Sequence, residues 1–113
     1  MGIVHRAAVV VPTALILLSA TPDVGFSSEM TSRGKSILLE KCGRCHAVEA
    51  VGESRLKNAP PMRDIYGRFA PRELEAELQE GMVSKHKQMP QIEFSQEDVA
   101  AIMAYLYELA SGR

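Results

Sequence analysis

Both cysteines of the chain fall inside one pentapeptide, Cys42-Gly43-Arg44-Cys45-His46, and no other feature of its 113 residues restricts the fold as much. Two thiols separated by two residues and followed at once by an imidazole form a covalent haem-attachment motif. Each sulfur can add across one vinyl group and tether the ring along two edges. The adjacent His46 then lies where a neutral ring nitrogen can reach the iron. Aromatic residues make up 5% of the chain and tryptophan is absent, so a core of this size gains much from a buried apolar ring.

Other chemistries of the same residues fit less well. A zinc site would have to be completed by His5, His46 and His86, the only histidines, and the second cysteine knuckle of an ordinary structural site is missing. A reactive dithiol belongs beside a βαβ pattern, which the sequence lacks. A local disulfide remains open, although closing so short a loop removes little chain entropy.

The first stretch has a separate logic. Arg6 in a short basic start, the apolar run Ala7 to Leu18 and the small residues Ser19 and Ala20 describe a secretory signal peptide. Residues 1–20 are read as that signal, with cleavage after Ala20 or as late as residue 27. The run is interrupted by Pro12 and falls short of the ~20 residues a membrane span needs; an uncleaved anchor is the alternative, because Leu18 is a poor residue three positions before the Ala20 junction. Export to an oxidising compartment leaves no place for two free thiols, and so supports thioether or disulfide use. The full chain carries 13 basic and 14 acidic residues; loss of Arg6 with the signal takes the net charge from −1 to −2. Nothing in that balance points to nucleic acid.

Residues 21–31 read as a flexible, turn-rich lead-in, and residues 32–113 as a single domain. Thr31 or Ser32 is positioned to cap a first helix running toward Cys42, with Gly34, Leu38 and Cys42 spaced by four on one stripe. A helix-interior glycine costs about 1 kcal/mol relative to alanine, which points to another backbone passing close by. Residues 47–57 form a loop, and Pro60-Pro61 stiffens the chain beyond it. Pro61 opens a short helix, Met62 to Tyr66, ended by Gly67. Pro71 starts a third helix closed by Gly81, with Leu74 and Leu78 inward and Glu73, Glu75, Glu77 and Glu80 on a wet face. Ser95, with Asp98 three residues on, caps a last amphipathic helix whose stripe is Val99, Ile102, Met103, Leu106 and Ala110, flanked by Tyr105 and Tyr107. No strand-like alternation competes. The predicted class is all-α, with three main helices and one or two short ones.

With CGRCH near its start, Met89-Pro90 later and Ala104-Tyr105-Leu106 in the last helix, residues 32–110 resemble the small monohaem class I c-type cytochromes. The resemblance implies a cytochrome c-like fold wrapped around one covalently bound haem c. It implies that the first and last helices cross closely, with Gly34 and Leu38 meeting Ile102 and Tyr105. It also implies a proline carbonyl that accepts the ring N–H of the iron-bound histidine. Pro60 matches that role, with Pro61 the alternative, because Gly67-Arg68 stands where the family has its Gly-Arg pair. The family's longer members place a tryptophan on a haem propionate; here Arg68 is the candidate contact.

For the second axial ligand, methionine sulfur suits haem iron. Met103 and Met62 read as packing residues, Met1 leaves with the signal, and Met30 precedes the first helix. Met82 and Met89 remain; the resemblance and the stiffening by Pro90 favour Met89. His86 lies between Lys85 and Lys87 and reads as a surface residue.

The expected function is therefore periplasmic electron transfer by an iron held between His46 and Met89, with no catalytic residues. Redox protein donors and acceptors would dock near Lys85 and Lys87; no nucleic acid and no small-molecule substrate are expected. Two alternatives are a cytochrome c subunit of a larger oxidoreductase complex and a five-coordinate, ligand-binding haem protein.

Overall fold

The computed structural model describes residues 1–3, 24–81 and 88–112, with side chains of the first helix from Ser27 onward. The described residues form four α-helices and no strand: α1 (Val24–Lys41), α2 (Met62–Ile65), α3 (Pro71–Glu80) and α4 (Gln96–Ala110). The all-α class read from the sequence holds. Residues 4–23, which include most of the expected signal peptide (residues 1–20), and Lys85 to Lys87 lie outside the described residues. Among the described residues no helix is long and apolar enough to cross a membrane.

The centre of the fold is the crossing of α1 and α4, and Gly34 makes it possible. A Cβ at that position would overlap the Ala101 carbonyl oxygen and stand 2.5 Å from its carbon and 3.0 Å from Ile102 N. The two backbones meet with no side chain between them, which offsets the cost of a helical glycine. Around this contact Leu38, Val99, Ile102, Tyr105 and Leu106 are buried, each aliphatic side chain contributing about 1.5–3 kcal/mol of transfer free energy. Leu74 and Leu78 of α3 and Met62 and Ile65 of α2 close the core from the other side. Arg33 Nη2 reaches Asp98 Oδ1 at 2.8 Å across the same crossing; both are partly exposed, so the pair adds about 1 kcal/mol at most.

Three details depart from the sequence reading. First, α1 begins at Val24 instead of at a Thr31 or Ser32 cap, so residues 24–31, expected as a lead-in, are helical. The hydroxyls there turn back onto their own helix, Thr31 Oγ1 to Ser28 O at 3.1 Å and Ser36 Oγ to Ser32 O at 3.0 Å, a bonding mode that leaves a helix intact. Second, Gly67 does not end the short helix. The chain tightens through a 3-10 turn, Tyr66–Arg68, and becomes extended only at Phe69 and Ala70, the second of which Pro71 restrains. Third, Ala110 of the expected α4 stripe is exposed, whereas Ala101 is fully buried, because the closest helix contact selects a small residue over a large apolar one.

The caps of α3 and α4 follow the sequence. Pro71 is at the start of α3 and Gly81, at φ 79°, ends it. Ser95 Oγ accepts the Asp98 backbone N–H at 3.1 Å. Ser95→Ala is expected to lower the stability of the haem-loaded protein by about 1 kcal/mol, measured by denaturant unfolding with an unchanged slope.

Candidate functional site

The site is built on the end of α1. Cys42 N–H donates to Leu38 O at 2.8 Å, extending the helix by one bond, and Cys42 O then accepts from both Cys45 N at 3.1 Å and His46 N at 3.0 Å. That shared acceptor winds Cys42 to His46 into one tight turn. Gly43 suits it, since a Cβ there would come within 2.5 Å of Leu39 O. Both thiols are half-buried and not joined to each other. Burial pushes the Cys42 thiol up to about 11, with the neighbouring Cys45 adding to the effect. A reactive dithiol needs the reverse, a thiolate favoured by a helix N-terminus; Cys42 follows a helix C-terminus, whose dipole opposes negative charge. Among the described residues no group of three or more His, Cys, Asp or Glu is placed to hold a metal ion; His5 and His86 lie outside them.

His46 Nδ1 lies 2.7 Å from Pro60 O. A carbonyl can only accept, so Nδ1 carries the hydrogen and the lone pair of the neutral ring is on Nε2. The Pro61 carbonyl is otherwise engaged: it accepts Asp64 N at 3.0 Å in the first turn of α2. Pro60 and Pro61 thus divide the work between the histidine and the helix.

The loop after His46 is tied down bond by bond. Ala47 N donates to Ser54 Oγ at 2.9 Å, Leu56 N to Cys45 O at 3.1 Å and Met62 N to Ala47 O at 2.8 Å. The buried Tyr105 hydroxyl donates to Val48 O at 3.0 Å. Burial, then the Glu49 charge, raises the Tyr105 pKa above its ordinary value, so the hydroxyl keeps its proton as donor. Gly52 allows the reversal with φ 99°. The sequence reading passed over Ser54 and the Tyr105 hydroxyl, because residues 47–57 have no period and a flanking tyrosine looks like part of a stripe. The available signal was a lone hydroxyl two residues after a glycine.

Arg68 is exposed and lines a cleft of about 460 Å³ with Arg55, Lys57, Pro60 and Pro61. His46, Gly43 and Leu39 line a second cleft of about 210 Å³. Arg68 and Pro60 therefore share one cleft, and His46 lines the other. Met89 is half-buried at a bend before Pro90 and lines neither cleft. The chain next to it is anchored to α3 by Phe94 N on Leu78 O at 3.2 Å and Gln91 Nε2 on Glu80 O at 3.4 Å. Met82 and His86 lie outside the described residues. Met62 is buried in the core and Met103 packs against it, so both act as apolar filler.

A family model described as cytochrome c oxidase, cbb3-type, subunit III matches residues 29–106. Neither the curated proteins nor the solved structures gave a match. The family implies haem c, and the residues suit it: two half-buried, unpaired thiols on one turn and a histidine whose hydrogen bond leaves Nε2 available. By this match over more than half its length, the chain belongs to the cytochrome c oxidase, cbb3-type, subunit III family and is a c-type cytochrome, an electron-transfer domain for haem c.

Proposed function

We propose that the protein is a periplasmic electron carrier with one haem c, attached through Cys42 and Cys45 and ligated by His46 and Met89. The observation that carries this reading is the 2.7 Å bond from His46 Nδ1 to Pro60 O beside two unpaired thiols. When bound, the haem supplies an iron that accepts and releases one electron. The chain does the rest. Cys42 and Cys45 tether the group, and the Pro60 carbonyl orients the His46 ring and raises its basicity. Met89, held near α3 by the Gln91 and Phe94 contacts, supplies a soft sulfur that raises the reduction potential. Arg68 would offer its charge to a propionate, a role supported by its sharing a cleft with Pro60. Export rests on the basic, apolar and small-residue sequence of residues 1–20, and acidic redox partners would be steered by Lys85 and Lys87.

Met89→Ala is expected to lower the potential by on the order of 100 mV, a fraction of the ~0.8 V range that axial ligands span. Voltammetry of the haem-loaded protein reads it directly, and an unchanged potential would move the ligand to Met82.

The family description favours one second reading, a fixed cytochrome subunit of a terminal oxidase complex. Cell fractionation separates the two: a carrier is released with the periplasmic contents, whereas a subunit stays with the membranes and, in mild detergent, brings the larger oxidase chains with it.

A further inference from the structure

Pro60 holds one atom of the His46 ring, but a ring on a flexible side chain is positioned only if its backbone is fixed as well. On the N-terminal side the Cys45 and His46 N–H groups both end on Cys42 O. On the C-terminal side the bonds are those of Ala47 N to Ser54 Oγ, Met62 N to Ala47 O and Tyr105 Oη to Val48 O, at 2.9, 2.8 and 3.0 Å. Two of these depend on side chains, one from the local loop and one from α4, 57 residues away in sequence. The Ala47 N–H belongs to the same rigid peptide plane as the His46 carbonyl, so the Ser54 hydroxyl fixes the torsion leading out of His46. The Tyr105 hydroxyl then fixes the next carbonyl but one and links the loop to the α1–α4 crossing.

We propose that Ser54 and Tyr105 are positioning residues for His46: their hydroxyls set the backbone from which the imidazole projects, while Pro60 sets the ring. The inference rests on His46 as the iron ligand and goes further, since neither hydroxyl touches the ring. It makes the α4 helix part of the device that orients the ligand, and not just a wall of the core.

The test uses the haem-loaded protein and begins by confirming that haem stays on the denatured wild-type chain; if it does not, the iron-ligand reading and this inference fall together. Ser54→Ala, Ser54→Thr, Tyr105→Phe and, as a control for lowered stability at the exposed cap of α4, Ser95→Ala are compared by proton NMR of the oxidised form, where haem methyl resonances report the histidine ring plane. Ser54→Ala and Tyr105→Phe should each move those resonances, and hydrogen exchange at the Ala47 amide should rise about tenfold in Ser54→Ala, as expected for loss of one hydrogen bond. Ser54→Thr should restore both signals. Ser95→Ala should lower the unfolding temperature and leave the resonances in place. Superimposable methyl resonances in wild type, Ser54→Ala and Tyr105→Phe would overturn the inference while leaving the haem assignment standing.

Discussion

Cys42→Ala combined with Cys45→Ala will leave no haem on the chain after acid denaturation, whereas the wild-type chain will retain all of it. These are the only two cysteines, so no other thioether can form. The half-buried pair sits on a single turn whose carbonyl at Cys42 receives two N–H groups, and both sulfurs are thereby presented together. Either single variant should keep one bond and a weaker but still covalent attachment. The expected effect is all or nothing, read by haem-peroxidase staining of a denaturing gel and by intact mass. Haem that survives denaturation in the double variant would show that the motif has been misread.

The largest expected loss of stability lies far from these cysteines, at Gly34. In an exposed helix Gly→Ala would gain about 1 kcal/mol, and here the sign should reverse. The added Cβ meets the Ala101 carbonyl and the Ile102 amide nitrogen, which are backbone atoms of α4 and cannot rotate aside. The helices must separate, which loosens Leu38, Ile102, Tyr105 and Leu106 at once. Overpacking of this kind costs about 1–3 kcal/mol and more where the obstacle is rigid, so Gly34→Ala should be destabilising by ~2 kcal/mol net. Gly34→Val should prevent accumulation of haem-loaded protein. Denaturant unfolding of the holoprotein measures the first; an unchanged or raised midpoint would mean that the helices do not cross at Gly34.

Much of the architecture could be read from local chemistry. The Ser95 cap and the glycine at the end of α3 are short-range signals; α4 starts and α3 ends where those residues stand. The costly Gly34 pointed to a close backbone before any partner was known, and Ala101 is that partner. Ala101 itself escaped the pattern because alanine carries almost no hydropathy signal; only its position opposite Gly34 makes it a core residue. The start of α1 escaped for a different reason. Thr31 and Ser32 have the chemistry of a cap, yet a hydroxyl inside a helix satisfies itself on a carbonyl three or four residues back, and sequence cannot tell the two uses apart.

The site divides in the same way. Cys42, Cys45 and His46 were legible because their spacing is itself the chemistry. Pro60 as partner of the histidine came from family resemblance, and the bond to His46 Nδ1 now has a distance. The roles of the Ser54 and Tyr105 hydroxyls were missed, since each acts on backbone groups that any sequence possesses. What joins them to His46 is chain topology, with a loop that doubles back and a helix that arrives 57 residues later.

The central claim, iron held by His46 and Met89 in a covalently attached haem, is tested most directly by the absorption spectrum of the exported protein, oxidised and reduced. The host used must be able to attach haem. Ligation by His46 and Met89 predicts sharp low-spin c-type bands in the reduced form and a weak far-red sulfur-to-iron band in the oxidised form, lost in Met89→Ala. A high-spin haem spectrum without that band, with carbon monoxide binding the reduced iron at neutral pH, would contradict it and leave the iron open on the methionine side.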